Sequence, residues 1–321
     1  MFLKKQKQMI KTNIPLKNKN WFKTGGNARF YAEPTTAAEF QHALAFAKEQ
    51  QVPVFILGEG ANILISDDGF DGLVIHPQLS AIEHHIDGNN AIIHADAGVS
   101  MDTLIDYCLS HQISGLEEFS GIPSSVGGAI FINLHYFQFL ISQFLIEAQV
   151  IHKDTGKIEI VNNEWFKFGY DYSTLHDGNY FLVSATFKLK RISELEAAYA
   201  RGRRAEIIRH RNARYPLSHT CGSFFRNFHP HEVTVQSNGK KMIFVAYYLD
   251  KIGIKGALSV GDAIVSHQHA NMFVNRGNAT STDIIQLART IQELTQEHFG
   301  ILPQPECLLV GFNEYPLKKV A

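Results

Sequence analysis

Apolar positions along this chain follow two rhythms. In residues 35–50, Phe40, Ala43, Leu44 and Ala47 recur at helical spacing, and Thr36 with Glu39 has capping-box spacing, so the pattern predicts a helix. Met101 to Gln112 repeats that rhythm behind Ser100, a good N-cap. Ser193 with Glu196 opens a further helix running toward His210, and Ile284, Leu287, Ala288, Ile291 and Leu294 line one side of a last one. Short apolar runs at 54–57, 73–75, 81–86, 91–95, 148–151, 157–161 and 180–187 have strand length. Asp68-Gly69 and residues 87–90 are turn signals, the second joining a hairpin. Strands and helices mix without the regular alternation of a doubly wound sheet.

Two of the apolar runs end in glycine clusters. Gly58-Glu59-Gly60-Ala61-Asn62 follows 54–57, and Gly121-Ile122-Pro123-Ser124-Ser125-Val126-Gly127-Gly128 follows Phe119. Glycine permits positive φ and close backbone approach, and successive N–H groups in such a loop suit a pyrophosphate. Two loops of this kind point to a nucleotide cofactor gripped from both sides. Neither ends in Gly-Lys-Ser/Thr, and neither spells Gly-x-Gly-x-x-Gly, which disfavours a P-loop and a Rossmann site.

Composition narrows the class. The 321 residues suffice for two or three domains; 45% are hydrophobic, 19% are charged, and the formal net charge is −1. No global field favours nucleic acid or a membrane surface. Cys108, Cys221 and Cys307 have neither metal-ligand spacing nor a disulfide framework, which fits a reducing cytosol. Residues 1–11 are basic, lack a signal peptide's apolar core and read as a loose solvated arm. Residues 129–146 are apolar, but Asn133, His135, Gln138, Ser142 and Gln143 interrupt them, which predicts a buried aromatic-rich segment rather than a membrane span.

Several polar groups stand out against this background. Ser223, in Cys221-Gly222-Ser223-Phe224-Phe225-Arg226-Asn227, sits either on a plain turn before a strand or on a turn that faces a ligand. A serine hydroxyl donates a proton usefully only against a strongly basic carbanion. His267 and His269 invite a metal reading, but no third ligand is apparent, so no metal is expected. Glu306 opens an apolar strand and is either a solvated strand end or a site carboxylate on a rigid element. Arg201, Arg203, Arg204, Arg209, Arg211 and Arg214 form either a solvated basic face or a wall attracting an anionic substrate.

Taken in order, these segments resemble the flavoprotein family of UDP-N-acetylenolpyruvoylglucosamine reductases, from about Asn20 to Gly311. The resemblance rests on residues 21–28, 57–72, 121–129 and 222–227, on His269-Ala270-Asn271 through Asn278-Ala279-Thr280, and on Pro305-Glu306. It implies an α+β fold: a two-subdomain FAD-binding part of the vanillyl-alcohol oxidase and para-cresol methylhydroxylase type, plus a C-terminal α+β substrate domain. The expected boundaries are 13–77 and 78–200 for the FAD subdomains, with 301–321 returning to the second, and 201–300 for the substrate domain. Residues 213–265 look compact, closer to the shorter family variant.

The resemblance also implies NADPH-dependent, FAD-mediated reduction of UDP-N-acetylglucosamine enolpyruvate to UDP-N-acetylmuramate, a cytoplasmic step of peptidoglycan synthesis, in a protein that could be a monomer. FAD would be held by Gly58, Glu59, Gly60, Ala61, Asn62 and Ile63 and by Gly121, Ile122, Pro123, Ser124, Ser125, Gly127 and Gly128. Ser223 matches the family's proton donor and Glu306 its acidic partner, while Tyr170, Arg214, Asn227 and His269 match the substrate side. Three positions depart from the pattern. Asp171 stands where the family has an arginine thought to hold the substrate carboxylate, so Arg214 or Lys167 would have to substitute, or activity is impaired. Residues 133–139 are bulky where small residues are usual, which would re-line the flavin site. Ser124 replaces a common glycine.

Overall fold

The computed structural model describes residues 9–320. The chain divides into two compact units, one comprising 9–14, Arg29–Glu59 and Asp71–Arg211, the other Pro15–Ala28, Gly60–Phe70 and 212–320. Most of the basic arm lies outside the described residues. Its end is no loose tail: Ile10 and Lys11 begin strand β1 (Ile10–Pro15), and Lys11 Nζ lies 2.7 Å from Glu33.

After β1 come β2 (Asn27–Ala32), helix α1 (Ala37–Glu49), β3 (Val54–Ile56), β4 (Ile63–Ile65) and β5 (Phe70–Ile75). Strands β1, β2, β5 and β3 form a four-stranded sheet in that order, with β3 parallel to β5. Helix α1 starts where its sequence predicts, because Thr36 Oγ1 accepts the Glu39 N–H at 3.2 Å. Its Phe40, Ala43, Leu44 and Ala47 are buried against Leu73 and Ile75. Burying a Phe or Leu in this way contributes about 1.5–3 kcal/mol each.

A second core follows in the same unit. The hairpin β6 (Ile82–Asp87) and β7 (Asn90–Asp96) turns on Gly88-Asn89, and α2 (Met101–Ser110) begins at Ser100, whose hydroxyl accepts from Thr103 N. Next come β8 (Ile113–Ser114), the short helix α3 (Val126–Phe131), the hairpin β9 (His135–Tyr136) and β10 (Phe139–Leu140), then β11 (Leu145–His152), β12 (Ile158–Asn162) and β13 (Tyr180–Arg191). The sheet order is β12-β11-β13-β7-β6, with β8 added to β13. A register shift between Gln149 and Val150 lets β13 serve two cores: Val183 packs with Ile151 and α1, while Ala185, Phe187 and Leu189 pack with α2 and α3. The 129–146 segment is largely interior, with Ile130, Leu134, Ile141 and Leu145 buried, but Phe137 is 71% exposed.

Helix α4 (Glu194–Arg214) opens on the predicted Ser193–Glu196 box. The second unit continues with β14 (Gln236–Ser237), β15 (Lys240–Lys241), α5 (Val245–Ile252), the antiparallel trio β16 (Ser259–Val260), β17 (Ala263–Val265) and β18 (Phe273–Asn275), α6 (Ser281–Phe299) and β19 (Leu308–Val310). Thr280 and Asp283 cap α6 reciprocally, and Asp67 accepts the Ser281 and Thr282 N–H groups at 2.9 and 3.1 Å. The expected return of residues 301–321 to the 78–200 segment is corrected. Strand β19 pairs in parallel with β4, and Cys307 and Leu317 join Phe224, Tyr248 and Ile291 in the core of the second unit. The α+β class stands as expected.

Candidate functional site

Within the first unit, the two glycine loops meet. Leu57 donates to Ile75 O at 2.8 Å, which ends β3 and delivers Gly58 beside the second loop. A Cβ on Gly58 would lie 2.8 Å from Ser125 Oγ, so only glycine fits without displacing that hydroxyl. Ser125 Oγ already caps α3 by accepting the Gly128 N–H at 3.1 Å. The second loop is pinned from behind: Met101 N donates to Ser124 O, Val126 N to Val99 O and Gly127 N to Ala97 O, at 2.8, 2.8 and 2.9 Å. A Cβ on Gly127 would come 3.1 Å from Ala97 O, so the loop would have to give by a few tenths of an ångström. Gly121 has φ +72°, and its carbonyl accepts from Arg211 Nε at 3.2 Å.

The first loop continues into the second unit. Gly60 has φ +68°, its carbonyl accepts from Trp21 N at 2.9 Å, and a Cβ would strike Lys19 O and Asn20 Cα, both at 2.7 Å. The opening segment is thus a collar on this glycine, braced by Asn20 Nδ2 donating to Leu16 O and Thr24 O. Asn62 O accepts from Leu308 N at 3.0 Å, whereas its side-chain Oδ1 is buried without a hydrogen-bond partner. An acceptor left so is costly unless a ligand donates to it.

Ser223 and Glu306 lie on neighbouring backbone segments of the second unit. Phe224 N donates to Asn271 O at 2.8 Å, and Phe224 O accepts from Glu306 N at 2.8 Å. Ser223 bridges Met272, and Phe225 bridges Pro305. Phe224 and Phe225, both fully buried against Phe273, anchor the segment. Both Ser223 and Glu306 are half-buried. The strand expected after Cys221 does not form, because the Asn271 side chain takes the ladder positions: its Oδ1 accepts from Phe225 N and its Nδ2 donates to Phe225 O. Behind them Cys221 and Cys307 share a thiol contact, and burial first, then that contact, pushes the Cys221 thiol well up.

Arg214 and His269 are brought together. The Arg214 guanidinium lies 5.5 Å from the Tyr215 ring centre, and that ring is 5.6 Å from His269. Burial chiefly lowers the His269 pKa, with Arg214 and Lys255 adding to the effect and Asp250 opposing it. Nδ1 of this ring accepts the Asn271 N–H at 3.3 Å, which leaves Nε2 as the donor of the neutral form. Asn227 is partly committed: its Oδ1 accepts from Val245 N, at the start of α5. The His-x-His pair shares no strand, because β17 ends at Val265 and Ser266 Oγ accepts from Gln268 N in a tight bend. Among the described residues no group could hold a metal ion.

Asp171 has an ion-pair partner that sequence reasoning missed, His135 at 3.5 Å. The nominated Lys167 is exposed and closes a 3₁₀ turn in left-handed conformation. Nor is the arginine crowd on α4 an open anion wall. Arg201 pairs with Glu194, Arg203 with Glu118, Arg204 with Asp102 and Asp106, and Arg209 with Glu206. No helix among the described residues is long and apolar enough to cross a membrane.

Family models extend these observations. Residues 28–162 match an FAD binding domain, and residues 214–310 match the C-terminal domain of UDP-N-acetylenolpyruvoylglucosamine reductase. Fold and matches together define an FAD-dependent oxidoreductase. The chain is 34% identical to the UDP-N-acetylenolpyruvoylglucosamine reductase of Chloroherpeton thalassium, over 95% of this chain and 94% of that one. It is 34% identical to the enzyme of Latilactobacillus sakei, covering 94% and 93%. The crystal structure of the Thermus caldophilus reductase superposes with a TM-score of 0.73 at 27% identity, covering 92% of this chain and 97% of that one. The chain belongs to the UDP-N-acetylenolpyruvoylglucosamine reductase family.

Proposed function

We propose that this protein reduces the enolpyruvyl ether of UDP-N-acetylglucosamine to UDP-N-acetylmuramate with NADPH as reductant, in the cytoplasm, as a step toward peptidoglycan, and that it acts as a monomer without nucleic-acid partners. The observation that carries this reading is the Glu306 N–H to Phe224 O hydrogen bond, which sets the candidate acid Ser223 and carboxylate Glu306 on adjoining rigid segments. FAD suits the residues present on two counts: the side-chain-free approach of Gly58 to Ser125, and the buried unpaired Asn62 Oδ1. Gly58, Glu59, Gly60, Ala61, Asn62 and Ile63, with Gly121, Ile122, Pro123, Ser124, Ser125, Gly127 and Gly128, would hold it. When bound, FAD supplies the hydride chemistry, and the protein supplies position and electrostatics.

Ser223 then gives its proton to the α-carbon of the enolpyruvyl group as negative charge develops there, and Glu306 assists the enolic form. Preorganised groups at a developing charge are usually the largest catalytic contribution. Tyr170, Arg214, Asn227 and His269 form the substrate side, with the neutral His269 ring offering a donor rather than a charge. The FAD part would comprise residues 13–77 and 78–200, and the substrate domain 201–300 together with the C-terminal strand. Ser223→Ala should abolish turnover while FAD remains bound; full turnover in that variant would refute the assignment.

A further inference from the structure

Two stretches that depart from the family pattern meet inside the first unit. His135 Nδ1 lies 3.5 Å from Asp171 Oδ1, with the side chains 30% and 18% exposed. The Tyr170 ring centre is 5.1 Å from the imidazole. The buried Asn133 ties the stretches together, donating from Nδ2 to Gly169 O at 3.0 Å and accepting at Oδ1 from Ser142 N. Asn133, Phe137 and Asp171 all hold φ near +50°, at 50°, 52° and 52°. Together the Asn133 bonds and these tight turns hold the two stretches against each other.

A carboxylate on Nδ1 orients an imidazole and leaves Nε2–H as the outward donor. Asp171 alone would repel an anionic ligand, whereas an imidazole N–H held in front of it offers a donor. We propose that His135, oriented by Asp171, is the donor that binds the carboxylate of the enolpyruvyl nucleotide in this chain. The proposal rests on the function proposed above and names the group that recognises one part of its substrate.

Several charged groups on the neighbouring segments have partners of their own. Glu118 pairs with Arg203, Glu117 accepts the Gly115 N–H, and Arg211 lies over the Tyr136 ring. On the 167–177 side, Tyr172 donates to Asp177, and His176 stacks on Phe131.

The test uses the FAD-loaded protein and calorimetry with two nucleotides, UDP-N-acetylmuramate, which carries the carboxylate, and UDP-N-acetylglucosamine, which lacks it. His135→Gln should bind the first about tenfold more weakly than the wild type and the second unchanged, His135→Arg should bind the first as tightly as the wild type, and Asp171→Asn, which loses the orienting contact, should weaken the first and spare the second. In steady state, His135→Gln should raise KM for the enolpyruvyl nucleotide and leave KM for NADPH unchanged. The proposal is overturned if His135→Gln binds UDP-N-acetylmuramate as the wild type does, or weakens both nucleotides equally, or if Asp171→Asn leaves affinity for UDP-N-acetylmuramate in place. A wild type that turns over normally beside an unaltered His135→Gln overturns this proposal alone. A wild type inert toward the enolpyruvyl nucleotide overturns the proposed function and this inference with it.

Discussion

Adding one methyl group at Gly58 tests whether the two glycine loops act as one structure. In Gly58→Ala the new Cβ would sit 2.8 Å from Ser125 Oγ, and the Ser125 Cβ is 3.9 Å from the same point. The backbone can therefore stay in place if the hydroxyl swings away, and the group lost is the cap on Gly128 N. Losing a serine cap costs about 1 kcal/mol, or about fivefold in an equilibrium constant. Ser125→Ala should cost the same amount, because it deletes the same hydrogen bond. In the double variant the clash has already been removed, so Gly58→Ala should add under about 0.5 kcal/mol, giving a coupling energy of about 1 kcal/mol. Thermal unfolding of the four proteins and FAD dissociation followed by flavin fluorescence read both sides of the cycle. Strictly additive effects would refute the contact, and unaltered FAD affinity in all variants would remove these loops from the cofactor site.

Three further outcomes follow from the cores and ion pairs. Arg226 grips Glu232 with two bonds of 2.8 and 2.7 Å, and this contact first of all holds the carboxyl at about 2. Because that value lies below the ordinary one, the stabilisation is present above about pH 4.5 and fades as pH falls toward 2, so Glu232→Gln should cost at most about 3 kcal/mol near neutrality and little near pH 2 in denaturant titrations. Equal losses at both pH values would contradict it. Burial, with Glu117 adding, pushes the Cys108 thiol to about 12, so iodoacetamide at neutral pH should label it only after unfolding; rapid labelling of the native protein would contradict its burial. Phe187→Ala, on the fully buried face of β13, should cost about 3–5 kcal/mol in guanidinium titrations, and a loss below about 1 kcal/mol would mean the core collapses around it.

The helices were legible because their signals are local. Thr36, Ser100 and Ser193 announce their helices within a single turn, and the apolar stripes of α1 and α6 repeat at the helical period. Strand β4 was hidden, since Ile63–Ile65 is buried throughout, sits inside the glycine motif and finds its partner only at Leu308–Val310. The C-terminal segment was misplaced for the same reason: nothing near residue 308 says which distant strand it joins. The arginines of α4 left two readings open, a solvated basic face or an anion wall, because Asp102, Asp106 and Glu118, which pair with Arg203 and Arg204, lie far back along the chain. The proposed chemistry-bearing residues come from motif matching, which flagged Asp171 as a defect. Only the fold brings up His135, whose sole signal was its place in the other departing stretch.

Anaerobic visible spectra of the FAD-loaded protein decide whether this chain passes a hydride from NADPH to the enolpyruvyl nucleotide through bound FAD. NADPH should bleach the flavin absorbance and one equivalent of the enolpyruvyl nucleotide should restore it, with UDP-N-acetylmuramate appearing in step. Bleaching that the nucleotide leaves untouched, or a protein that takes up no FAD at all, would contradict that transfer.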